Sequence, residues 1–227
     1  MKFSLPAMTL TFFTWQASSC AWAEGTRVPN FYADAQLGLI TYKSKLAASN
    51  DTGTALRYGV GSCAGSEGQL RFNLMIDTAS TNFALNDSKL TLAWQDTAIR
   101  YQWAWFYVGA LFSRLEMTAH IEGADKIDAA GSGFGGTTGF LFDVGKRAQL
   151  NLDISSASIA KMTNALEGEV KLGSRLDVDL GSQVELGKKF LFAFGYRMRT
   201  MSISFASTSY AELVTSTYAG LRYSLYF

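Results

Sequence analysis

The chain has 227 residues, with 20 Lys and Arg against 19 Asp and Glu and a single histidine. That near-neutrality removes the electrostatic basis for binding nucleic acid or an anionic membrane surface, and one histidine beside two cysteines supplies no ligand set for a structural zinc site. Hydrophobic residues make up 48%, yet no stretch beyond the first 23 residues is long and apolar enough for a helical span, so they are spread by alternation.

The N-terminus reads as an export signal. Lys2 gives a positive start, Phe3 to Trp15 is mostly apolar but broken by Pro6, Thr9, Thr11 and Thr14, and Ala21-Trp22-Ala23 is an A-x-A cleavage site. A lipidated Cys20 is the rival reading, but Ala17-Ser-Ser precedes it where a large aliphatic residue would be expected. Cleavage after Ala23 leaves 204 residues with Cys63 as the remaining cysteine, so no internal disulfide is predicted. Residues 24–30 are a short lead-in, and 31–227 form a single domain.

Alternation and turn residues divide that domain into ten strands, at about 31–44, 54–63, 68–78, 87–96, 98–117, 135–144, 147–159, 169–186, 189–204 and 213–227, with eight or twelve strands as alternatives. In the fifth, Trp103-Ala-Trp105-Phe106-Tyr107-Val108 is apolar on both faces. Arg100, Gln102, Arg114 and Glu116 carry an even-numbered inward face through it. Trp103, Trp105 and Tyr107 then read as an interfacial aromatic belt, with a ligand-stacking platform as the competing reading. Before the sixth strand, Gly131-Ser-Gly133-Phe-Gly135-Gly136 reads as flexible loop, having no strand before it and helix after it as a nucleotide fingerprint would. Short basic turns fall at 145–147 and 187–189. Longer connections are expected at 46–54, 79–88, 118–134, 160–168 and 206–212.

The clearest segment is the eighth strand. Val170, Leu172, Leu176, Val178, Leu180, Val184 and Leu186 share one face, while Lys171, Arg175, Asp177, Asp179, Gln183 and Glu185 share the other. Strands in soluble sheets run about five or six residues, whereas this pattern persists over 17. An apolar outer face of that length faces lipid, where every backbone polar group must pair within the protein and a sheet must close on itself. The fold class expected is all-β: a single transmembrane antiparallel up-and-down β-barrel.

The last strand, Tyr218-Ala-Gly220-Leu-Arg222-Tyr223-Ser-Leu225-Tyr-Phe227, alternates and finishes on an aromatic residue. It resembles the closing strand of Gram-negative outer-membrane β-barrel proteins, an architecture shared by small porin-like and OmpA-like barrels. The resemblance implies an outer-membrane location, with short periplasmic turns and longer extracellular loops. It implies outer-membrane lipid and lipopolysaccharide as surroundings, and the barrel assembly machinery as the partner that recognises Gly220, Tyr223, Leu225 and Phe227.

Parity places Asp34, Arg57, Arg71, Asp77, Lys89, Arg100, Arg114, Glu116, Asp143, Asp153, Lys171, Arg175, Asp177, Asp179, Glu185, Arg197, Arg199 and Arg222 inside. In so narrow a barrel, opposite charges should pair, because an unpaired buried charge is very costly. The first functional expectation is a charge-paired, structural barrel serving membrane integrity. A narrow porin-like channel is the alternative, with rings of charge setting selectivity. A third is an enzyme or adhesin at the extracellular loops, where His120 stands near Glu116, Glu122 and Asp125. No nucleophile has a defined spacing to His120, so no catalytic residue is assigned and no metal or cofactor is expected.

Overall fold

The computed structural model describes residues 31–45, 49–64, 70–83, 88–103, 105–120, 127–144, 147–159, 163–164, 170–205 and 208–225. The signal, the lead-in and Phe227 lie outside the described residues. Ten long strands form the wall: β1 (Phe31–Ser44), β2 (Ser49–Ala64), β3 (Leu70–Phe83), β4 (Ser88–Trp103), β5 (Phe106–His120), β6 (Ile127–Val144), β7 (Ala148–Ile159), β9 (Val170–Gly187), β10 (Phe190–Phe205) and β11 (Thr208–Leu225). A two-residue strand, β8 (Thr163–Asn164), pairs with Ala129 and Ala130 of β6. All wall pairings are antiparallel between neighbours. The last strand returns to the first, from Phe31↔Leu225 to Ser44↔Glu212, and closes the barrel.

The wall differs from the expected strands at one turn in particular. Trp103 pairs with Phe106, so the β4–β5 hairpin turns at residues 104–105 and not between 96 and 98. Cross-strand partners point to the same face, and a two-residue turn therefore switches the inward set from even numbers on β4 to odd numbers on β5. Arg114 and Glu116, expected inside, lie outside: their side chains are 52% and 54% exposed and pair at 2.7 Å. Tyr107, expected on the outer belt, is buried in the interior.

The strands also run further than expected at the end away from the chain termini. β2 begins at Ser49 and β6 at Ile127. The glycine-rich stretch 131–136 is therefore wall and not loop. Glycines at 133 and 135 face inward, where a Cβ would overlap the Ser158 and Ser156 carbonyl oxygens of β7. These positions let β6 and β7 approach closely, a recurrent use of strand glycine.

The wall has two halves of opposite polarity. Near the end that carries both termini, the outside is apolar, with Ile99, Tyr101, Trp103, Phe142, Leu180, Phe192 and Leu221 exposed, while the interior carries charge. Near the other end, Arg114, Glu116, Ser132, Ser156 and Ser174 face outward, with the exposed Phe134 among them, and the interior holds Leu92, Trp94, Leu115 and Ile159. About 9–11 residues suffice to span the hydrocarbon, and wall strands of 12 to 18 residues exceed that. The lower part is thus built for lipid and the upper part for water.

Candidate functional site

Inside the wall, the side chains stack in three layers. The uppermost is a buried apolar cluster of Ile40, Tyr42, Ala79, Leu92, Trp94, Leu115, Ile159, Met201 and Val214. These residues come from β1, β3, β4, β5, β7, β10 and β11, so the cluster reaches across the whole bore. The Tyr42 hydroxyl donates to Glu212 Oε2 at 2.7 Å, satisfying the carboxylate beside the apolar layer.

Beneath it lies a belt of interlocked arginines and aspartates. Arg175, with no solvent exposure, reaches Asp96 through Nη1 at 2.9 Å and Nη2 at 3.0 Å, and donates to the Ser113 hydroxyl at 2.7 Å. Its Nη2 also stands 3.3 Å from Asp177, which Arg199 engages in a fork at 2.8 Å for both bonds. Asp77 joins Arg197 and Arg199, at 3.3 and 3.4 Å. Arg197 holds Asp179 at 2.6 Å, and Asp179 also meets Arg57 at 3.4 Å and accepts the Tyr218 hydroxyl at 2.7 Å. In a low-dielectric interior such charge-assisted forks are both strong and geometrically exacting.

The third layer is a cavity of about 700 Å³ below the belt, bordered at the chain-terminal end by Gly187, Lys188 and Lys189 of the β9–β10 hairpin. Arg222 grips Asp34 in a fork at 2.7 and 3.0 Å and covers the Tyr32 ring at 4.4 Å. Arg100 pairs with Asp153 at 3.0 Å, and Tyr107 donates its hydroxyl to the same carboxylate. Gly139 makes room for the Tyr107 ring, which a Cβ there would overlap. Asp143, on the inner face of β6, accepts from Gln149 at 3.1 Å.

Of the charged residues expected inside, Asp34, Arg57, Arg71, Asp77, Arg100, Asp143, Asp153, Arg175, Asp177, Asp179, Glu185, Arg197, Arg199 and Arg222 lie on the inner face. Arg114 and Glu116 do not. The side chains of Lys89, His120 and Lys171 lie outside the described residues, although His120 is the last residue of β5 and not part of a loop. The sequence reading missed Asp96, because it ended a strand there, and the aromatic partners Tyr32, Trp94, Tyr107 and Tyr218. Even parity carried to the true end of β4 would have found Asp96.

On the outer surface, Trp103 meets Tyr101 edge-on with centroids 4.6 Å apart, and Trp105 stacks on Phe140 and Phe142 at 5.5 and 6.1 Å. Together with Phe190 and Tyr223, in contact at 5.1 Å, these form aromatic surface at the lower rim of the apolar band. Gly220 faces inward against Gln36, while Tyr223 and Leu225 occupy outward positions of β11.

The closed antiparallel wall resembles those of solved outer-membrane β-barrel proteins. The outer-membrane protease OmpT from Escherichia coli superposes with a TM-score of 0.54 at 11% identity, covering 86% of this chain and 97% of that one. The chain has the fold of an outer-membrane β-barrel. The transport unit of the autotransporter AIDA-I from Escherichia coli gives a TM-score of 0.50 at 9% identity over 92% of this chain and 95% of that one. Neisserial surface protein A gives 0.49 at 16% identity over 86% and 97%. No protein-family model and no curated protein sequence matches the barrel. At such identities these likenesses concern the fold, and a protease and an autotransporter unit among them share the wall without sharing a role.

Proposed function

We propose that this protein is a sealed outer-membrane barrel whose charge-paired interior serves membrane integrity and leaves no through-path for solutes. The observation that carries this reading is the apolar layer set directly above the arginine–aspartate belt. Ions cross only where a polar lining replaces their hydration, and an apolar constriction dewets. Here the constriction is filled by side chains, Trp94 and Ile159 being 1% and 0% exposed.

In this reading the first 23 residues direct export and are removed after Ala23. Barrel assembly machinery inserts the remainder through Gly220, Tyr223, Leu225 and Phe227, so deleting Phe227 lowers the amount of folded, heat-modifiable protein in the outer membrane. Outer-membrane lipid and lipopolysaccharide surround the wall. A role for the loops in adhesion or catalysis draws less support, since strands occupy much of what was expected to be loop.

The deciding experiment is conductance of the refolded mature chain in a planar lipid bilayer. Silence from protein shown to be folded by its heat-modifiable mobility is the expected result. Steady discrete openings, with a reversal potential that shifts in the Arg197→Glu variant, would replace this reading with that of a narrow channel.

A further inference from the structure

The lower cavity holds more cationic charge than its carboxylates engage. Arg100, Arg222, Arg57, Arg197 and Arg199 each have an aspartate partner. Among the lining carboxylates only Glu185 has no arginine on it among the described residues. Arg71 stands apart. In the ladder it lies directly opposite Arg100, and among the described residues it makes no ion pair or hydrogen bond. Its Nε, like those of Arg57, Arg100 and Arg175, is shut off from solvent without a hydrogen-bond partner, so what distinguishes Arg71 is the missing ion pair. Like charges directly opposite on one face of a sheet repel, and a guanidinium inside a protein needs a counter-charge. Asp153 supplies that charge to Arg100 alone.

We propose that this cavity binds a small oxyanionic solute, carrying a phosphate or carboxylate group, held by Arg71 beside Arg100. A planar guanidinium presents a fork of donors matched to either group. Lys188 and Lys189, both exposed at the lower rim, bias access towards anions. At about 700 Å³ the space is within the range of ligand pockets, roughly 300–1,000 Å³. The proposal concerns binding from the side of the termini and stands whether or not the bore above is sealed.

The fold places a reporter at the site. Cys63 is directly opposite Arg71 in the β2–β3 ladder and lines the same cavity. The experiment measures the rate at which a small maleimide alkylates Cys63 in the refolded mature protein. Sodium phosphate and sodium succinate are each compared with sodium chloride at matched ionic strength. Severalfold slowing by either oxyanion is expected, and which of the two protects identifies the group recognised. The Arg71→Gln variant should alkylate at one rate in all three salts, while Arg114→Gln on the outer wall should keep the protection. Equal rates for the wild-type protein in every salt would overturn the proposal, as would protection that survives Arg71→Gln or disappears with Arg114→Gln. If Arg71→Gln fails to reach the heat-modifiable state, calorimetric titration of the wild type decides: heat of binding from either oxyanion supports the site and its absence overturns it.

Discussion

The Arg199 guanidinium lies over the Trp94 ring, 4.1 Å from its centroid, at the boundary where the interior changes from charged to apolar. Trp94 is therefore both the floor of the apolar layer and a face of the ionic belt. A desolvated cation–π contact contributes about 2 kcal/mol, and truncating a buried Trp costs about 3–5 kcal/mol. Trp94→Ala should lower the unfolding free energy of the refolded barrel by at least about 3 kcal/mol, measured by urea titration in detergent or vesicles. Trp94→Phe keeps a ring against Arg199 and should cost less than half as much. Equal losses in the two variants would show that the ring makes no contribution through the arginine.

Arg175 is the most enclosed member of the belt, and it engages two carboxylates at once. Removing one partner of a buried pair leaves the other as an uncompensated charge, at about 3–5 kcal/mol. Arg175→Met should therefore destabilise by that order, and Asp96→Asn in the same background should restore part of the loss. A double variant no more stable than Arg175→Met would mean that Asp96 finds another counter-charge.

The sequence made the lower half of the barrel legible, because lipid outside and charge inside give a clean alternation. Val178, Leu180, Val184 and Leu186 against Asp177, Asp179, Gln183 and Glu185 define both faces without further information. The upper half inverts that polarity, so Ser49 to Gly53 and Ile127 to Phe134 carry the composition of loops although they form strands. Trp103-Ala-Trp105 has no Gly, Asn, Asp or Pro to mark a turn, and parity ran through it unchecked. Once parity slipped there, Arg114, Glu116 and Tyr107 moved to the wrong face together, as a one-residue error requires. The partners of each arginine depend on which strands face one another across the bore, and no local pattern encodes that.

Gly61 is the position over which the Tyr32 ring lies, and all three of the nearest atoms to a Cβ built there belong to that side chain. Arg222 covers the same ring, so Tyr32 has little freedom to withdraw. Gly61→Ala should cost about 1–3 kcal/mol through overpacking. Adding Tyr32→Ser should relieve most of it, a coupling that a double-mutant cycle in urea would measure. Additive losses would place the strain in the backbone of β2 and not in the ring.

The inversion of polarity along the wall makes a prediction about depth. Leu180 is 58% exposed and pairs across the wall with Leu152 and Tyr196, within the apolar band. Ser156 also faces outward on β7, four residues nearer the upper end than Leu152 and opposite Leu176. An arginine on the lipid face of a barrel costs about 2–4 kcal/mol at the bilayer midplane and about 0–1 near an interface. Leu180→Arg should therefore destabilise the barrel in lipid vesicles by about 2 kcal/mol or more, and Ser156→Arg by less than about 1. In a detergent micelle, which deforms around a charge, the difference should shrink. Equal costs in vesicles would mean that the bilayer reaches Ser156, that the upper wall is also embedded, and that the apolar layer inside it sits at membrane depth.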